Sequence, residues 1–142
     1  MGNFIVVDAP VERAVFQQDV KQKANIKVSG SCRGEATHVE VFASIDGKLQ
    51  RSFTIDVGED QSFLTIIELA AGGWYHLQFH AVSNGEILAK TDVNRVGVGE
   101  VWITAGQSNS ANHGYPRQNV EDDRIVALGE NGWQTADDPQ PI

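Results

Sequence analysis

From Phe4 to about Val98 apolar and polar residues alternate with a period of two, and turn residues interrupt the pattern at short, regular intervals, as in an antiparallel sandwich. Ile26, Val28 and Cys32 alternate with Lys27 and Ser29. Val39, Val41, Ala43 and Ile45 share one face of the next strand, opposite His38, Glu40 and Ser44. Asp46-Gly47 then predicts a hairpin turn, because both residues tolerate positive φ. Phe53, Ile55 and Val57 continue the alternation, Gly58-Glu59-Asp60 turns the chain into Phe63 to Leu69, and Ala71-Gly72-Gly73 turns it into Trp74 to Val82. In that strand Tyr75, Leu77, Phe79 and Ala81 lie opposite Trp74, His76, Gln78 and His80. Asn84-Gly85 predicts a second hairpin, followed by a short strand, Glu86 to Lys90, and a final one, Asp92 to Val98. Roughly seven short strands predict a mainly β protein whose residues 1–98 form an Ig-like antiparallel β-sandwich.

After Gly99 the pattern changes. Val101-Trp102-Ile103-Thr104-Ala105 is an almost unbroken apolar run that ends in a glycine, as expected of a strand buried on both faces of a parallel α/β sheet. Gly106-Gln107-Ser108-Asn109 would form the bend beyond it. Residues 99–142 therefore predict the start of a second, α/β domain, with Trp102 in its core. The part after Gly114 is polar and turn-rich, with apolar patches at Ile125 to Leu128 and at Trp133, and predicts an extended excursion with no compact unit of its own.

Composition narrows the function. The 142 residues carry 19 acidic and 11 basic side chains, a net charge of −8, so a nucleic-acid partner, which needs clustered Lys and Arg, is not expected. No apolar run approaches the roughly 20 residues of a spanning helix, so no membrane partner is expected. The lone Cys32 offers no intrachain disulfide and no cysteine-based zinc site. The first residues lack the charged start and apolar stretch of a signal peptide, which implies a cytoplasmic chain, or a secreted or periplasmic one if a leader has been removed.

A serine just past the carboxyl end of a buried strand, with glycine before it, has a mechanical meaning. The turn lifts its Oγ out of the sheet while backbone N–H groups beyond it face a developing oxyanion. Ser108 stands in such a setting; the alternative is a helix N-cap serine.

The longer string Gly99-Glu100-Val101-Trp102-Ile103-Thr104-Ala105-Gly106-Gln107-Ser108-Asn109 closely resembles the nucleophile block of the sialate O-acetylesterase-like branch of the SGNH hydrolases. In that family an Ig-like sandwich precedes a flavodoxin-like α/β catalytic domain. Val15-Phe16-Gln17-Gln18 resembles a segment near the family's start, and Ala71-Gly72-Gly73-Trp74-Tyr75 a turn before a late sandwich strand. Gly132-Trp133 and Asp137-Asp138-Pro139 resemble the loop after the nucleophile. The resemblance implies that Ser108 is the nucleophile, that its own N–H is an oxyanion donor, and that Gly106, Gln107 and Asn109 shape the turn. Ser110 stands where family members commonly carry Met. The family's base, a histidine preceded by an aspartate, has no counterpart here, and the chain beyond Ser108 is little longer than the roughly 30 residues of one strand–helix–strand unit. A serine without a base stays protonated and is a poor nucleophile, so the chain alone is expected to be inactive.

Other candidates read more plainly. His113 follows Ser108 by five residues, and on a helix the two would diverge by roughly 140°, which suits a loop residue near a substrate better than a base. His76 and His80 share a strand face, but i and i+4 there are about 13 Å apart, too far for one metal; His38 has no partner in sequence. Trp74 could pack under its turn or stack on a sugar. Asp122-Asp123 and Asp137-Asp138 lack the alternating spacing of a calcium loop and read as solvated charge. No metal or cofactor is expected. Two functions follow: the amino-terminal part of a serine carbohydrate esterase acting on an acetylated carbohydrate, or a non-catalytic sandwich module that binds carbohydrate or a partner protein. Self-association or completion of the α/β segment by another chain accompanies either.

Overall fold

The computed structural model describes residues 2–107 and 114–141, and among these it is built from β-strands with no helix. The chain divides into two compact units, Met1–Glu100 and Val101–Ile142. The first is a β-sandwich of eight strands: β1 (Phe4–Ala9), β2 (Val15–Gln17), β3 (Lys23–Arg33), β4 (His38–Ile45), β5 (Lys48–Asp56), β6 (Ser62–Ala70), β7 (Trp74–Ser83) and β8 (Glu86–Gly99). One sheet has the order β1-β3-β6 and the other β2-β8-β7-β4-β5. The chain crosses between sheets after β1, β2, β3, β5 and β6, and β4 pairs with β7 as well as with its hairpin partner β5.

Alternation decides which side chains meet between the sheets. Ile26 and Val28 of β3, Val39, Val41 and Ala43 of β4, Leu77 and Phe79 of β7 and Val96 of β8 have no exposed surface. Complete burial of such an aliphatic or aromatic side chain stabilises the fold by about 1.5–3 kcal/mol. Cys32 belongs to this core, and burial pushes its thiol above the ordinary value. Both expected hairpins form. Asp46 and Gly47 have φ of 48° and 75°, and Asn84 and Gly85 have 50° and 79°, positive at both central residues as a tight hairpin requires.

The two expected strands Glu86 to Lys90 and Asp92 to Val98 are one. Strand β8 is continuous but carries two bulges against β7: Leu88 is extra between the pairs Ala81↔Ala89 and Val82↔Ile87, and Asn94-Arg95 face the single residue between Tyr75 and Leu77. Arg95 has a φ of 52° there. Each bulge shifts the phase of the alternation, so a continuous strand reads in sequence as a broken one.

The second unit departs from expectation more sharply. Val101 to Ala105 is not a strand, and Trp102 and Ile103 are 83% and 93% exposed where a buried α/β strand was expected. A strand of that kind needs hydrogen-bonded neighbours on both edges and cover on both faces, and no described strand pairs with this segment. The described residues thus contain no α/β element. The region expected to be an extended excursion holds a hairpin instead, β9 (Val126–Gly129) and β10 (Gly132–Thr135), with Trp133 opposite Leu128. Its two patches were too short and too far from strict alternation to read as strands.

Gly30 of β3 is the most closely packed glycine of the sandwich. A Cβ placed there would lie 2.1 Å from the Val6 carbonyl oxygen and 2.5 Å from Phe63 Cζ. Gly30→Ala is therefore expected to cost about 1–3 kcal/mol, read as a lower urea midpoint at unchanged slope; an unchanged midpoint would contradict the packing described.

Candidate functional site

The first unit ends at one corner of the sandwich, and that corner is well defined. Val15, Phe16 and Gln17 of β2 pair in parallel with Gly97, Val98 and Gly99 of β8. Flanking backbone bonds extend the ladder: Arg13 N–H donates to the Arg95 carbonyl at 2.8 Å, Gly97 N–H to Ala14 at 2.9 Å, and Gln18 N–H to Gly99 at 2.8 Å. The next residue, Glu100, closes the corner with its side chain. Its carboxylate accepts hydrogen bonds from Gln17 Nε2 at 3.1 Å and Gln18 Nε2 at 2.7 Å. These two bonds, that from Gln17 first, hold the Glu100 carboxyl below the usual carboxylate range.

Trp74 belongs to the same corner. It lies across from Gly97 in the β7–β8 ladder, and a Cβ on Gly97 would approach its ring to 2.8 Å and Val15 Cγ2 to 3.3 Å. The half-buried indole thus packs on the bare backbone of Gly97. The turn before it is fixed from both sides: Gly73 has a φ of 139°, and Tyr75 Oη donates to the Ala70 carbonyl at 2.8 Å. Three stretches singled out in the sequence, Val15 to Gln18, Ala71 to Tyr75 and Gly99-Glu100, therefore meet at one corner, although 52 residues lie between the first and second and 23 between the second and third.

Gly106 and Gln107 are exposed and lie outside any strand. Ser108, Asn109 and His113 lie outside the described residues. Beyond them Asp137 and Asp138 are more than solvated charges. Asp138 Oδ2 accepts the backbone N–H of Gly114 at 2.8 Å and of Gln118 at 2.7 Å, and Asp137 Oδ1 that of Val120 at 2.9 Å. The pair fastens the stretch 114–120 to the end of the β9–β10 unit. Asp122 is also committed: its carboxylate binds the Arg124 guanidinium and backbone N–H, which lowers its pKa to about 2.

The sandwich histidines stand apart from this corner's chemistry. His76 Nε2 is 3.3 Å from Asp92 Oδ2. His80 packs on Phe42, with ring centroids 5.1 Å apart, and its buried Nε2 has no hydrogen-bond partner among the described residues. Burial, then the Lys90 charge, holds His80 below the ordinary histidine value, against the opposing pull of Glu40. His38 Nδ1 lies 3.0 Å from Thr37 Oγ1. Among the described residues no three His, Cys, Asp or Glu side chains are grouped as a metal site would need. A shallow open groove on the outer face of the five-stranded sheet is lined by Phe42, Ser44, Gly47, Leu49, His76 and Gln78. Sequence reasoning passed over it because Phe42 and Leu49 sit on a face that alternation assigns to solvent.

No family model matches the sequence, and no curated protein matches it. Among solved structures the chain is similar to the β-glucuronidase of Bifidobacterium dentium complexed with coumarin-3-O-glucuronide, at 12% identity and a TM-score of 0.50, over 68% of this chain and 18% of that one. An engineered protein is similar at 15% identity and a TM-score of 0.49, over 68% and 20% of the two chains. A CARDB domain from Pyrococcus furiosus is similar at 17% identity and a TM-score of 0.38, over 68% and 94%. The chain thus spans less than a fifth of the glucuronidase, and the likeness is one of fold.

The lowered Glu100 value fixes the sign of a pH effect. Its clasp on Gln17 and Gln18 is complete above the ordinary glutamate value and is released as pH falls through the lowered one. The side-chain amide protons of both glutamines should shift together with the Glu100 carboxyl in an NMR titration, and amide shifts indifferent to that carboxyl would refute the clasp. In the second unit, Asp138→Ala should speed hydrogen exchange at Gly114 and Gln118 and leave the sandwich unchanged; unaltered exchange at both would show that Asp138 does not fasten the loop.

Proposed function

We propose that this chain is the amino-terminal part of a serine carbohydrate esterase, a sandwich followed by the nucleophile segment, acting on an O-acetylated sugar of a sialic acid or plant polysaccharide. The observation that carries the reading is the convergence at one corner of three stretches that resemble the same family, with the Gly-Gln-Ser-Asn block six residues beyond Glu100. In the reaction Ser108 Oγ attacks the acetyl carbonyl, giving a tetrahedral oxyanion held by backbone N–H groups. The C–O bond to the sugar then breaks, the sugar oxygen takes a proton, and an acetyl-serine remains for water to hydrolyse. The serine proton needs a base. His38, His76 and His80 are side chains of the sandwich strands β4 and β7, and on this reading the Asp–His pair lies in sequence beyond Ile142.

A second reading rests on the groove of Phe42, Leu49, His76 and Gln78, which sets apolar and hydrogen-bonding groups side by side. It makes the sandwich a non-catalytic module that holds carbohydrate.

Hydrolysis of 4-nitrophenyl acetate separates the two. The 142-residue chain should show no more activity than its Ser108→Ala variant. The polypeptide translated from the continued reading frame should carry an Asp-x-x-His block and lose activity by about a thousandfold or more on Ser108→Ala. A frame without that block, or full activity in the variant, overturns the esterase reading.

A further inference from the structure

The sandwich has four strand edges, and three are guarded. β1 is short and bulged between Val7 and Ala9, where it runs into Pro10. β2 has three residues. β5 carries Lys48 and Arg51 and is bulged against β4. Such devices keep a free row of N–H and C=O groups from pairing with another chain. β6, the edge of the three-stranded sheet, has none of them. Its nine residues, Ser-Phe-Leu-Thr-Ile-Ile-Glu-Leu-Ala, run beside β3 without a bulge and contain no proline, lysine or arginine. The one charge, Glu68, is paired with Lys23 Nζ at 2.7 Å. On the outer face Leu64 and Ile66 are 66% and 68% exposed.

We propose that β6 is the seam of a homodimer, in which a second copy adds its own β6 antiparallel about a two-fold axis at Thr65, giving one six-stranded sheet. The order of outward residues selects both the partner and the register. Reading Ser62, Leu64, Ile66 and Glu68, an axis at Thr65 sets Leu64 beside Ile66 of the second copy twice over. It also sets each Ser62 hydroxyl beside a Glu68 carboxylate and keeps the two Glu68 charges at opposite ends. An axis at Ile66 would oppose Leu64 with Glu68, and an axis at Leu64 would oppose Ile66 with Ser62. Directly opposed apolar pairs favour a sheet seam, and an isologous contact closes on itself so that assembly stops at two. The seam is independent of whether Ser108 is a nucleophile.

Sedimentation equilibrium of the full 142-residue chain, from about 1 to 200 μM, should show a monomer–dimer equilibrium, with each step of about tenfold in Kd equal to about 1.4 kcal/mol. Leu64→Lys, which places a charge at both halves of the seam, should weaken it about tenfold or more, while Leu49→Lys on the guarded edge β5 should leave it unchanged. Circular dichroism of both variants should match the parent. A Leu64→Cys/Ile66→Cys double variant should oxidise to a covalent dimer, since each new thiol faces its counterpart on the second copy. A chain that stays monomeric throughout, a dimer indifferent to Leu64→Lys, or a double variant that does not cross-link overturns the proposal.

Discussion

The chain leaves the sandwich at a fixed place because three residues near its start pair in parallel with three residues near the end of β8. Val15 to Gln17 against Gly97 to Gly99 is the one parallel ladder among the described strands, and every other pair is antiparallel. It depends on small residues. Gly97 lets the Trp74 ring lie on its backbone, where any side chain would displace the ring or Val15. The Arg95 bulge turns β8 so that Arg13 and Ala14 can reach it. Glu100 then draws both glutamines to itself, so the last side chain of the first unit is held by the segment that opens its corner. Whatever follows Glu100 therefore starts from a set point.

The acidic character of the chain looks different once its carboxylates are located. Asp19 accepts the backbone N–H groups of Lys21 and Lys23, Asp60 those of its own turn through Ser62, Asp122 binds Arg124, and Asp137 and Asp138 fasten a loop. Asp19 and Asp60 are held below the usual carboxylate range, Asp19 first by the Lys23 N–H and Asp60 first by the Ser62 hydroxyl. These five of the 19 acidic side chains thus serve to hold turns and loops, where a carboxylate satisfies backbone donors that no strand partner reaches. An isolated two-stranded hairpin is marginal in water. The β9–β10 unit gains from these bonds and from Pro141, which packs so closely on Gly129 that a Cβ there would lie 2.4 Å away.

The sandwich was legible in the sequence because its alternation reports directly which side chains are buried. Ile26, Val39, Leu77 and Phe79 lie on the apolar face of the alternation and are buried, and the two hairpin turns lie where Asp-Gly and Asn-Gly put them. Alternation failed where the backbone changes phase, at Leu88 and Asn94-Arg95, and where a strand is too short to show a period, as in β2. It also failed at Val101 to Ala105, since an apolar run records what a segment can bury, and a strand forms only when neighbours pair with it. The candidate serine block was legible as one contiguous string of residues. The corner was not, because Gln17, Gln18 and Glu100 are ordinary polar residues whose meaning comes from a pairing more than eighty residues long.

Amide hydrogen exchange across the whole chain, followed by NMR, tests most directly the claim that a fixed corner ends the first unit. The Arg13, Gln18 and Gly97 amides should be protected as strongly as those of β7, with a sharp fall to fast exchange at Trp102 and Ile103. Fast exchange at Gln18 and Gly97, equal to that at Trp102 and Ile103, would show that the chain leaves the sandwich without a fixed corner.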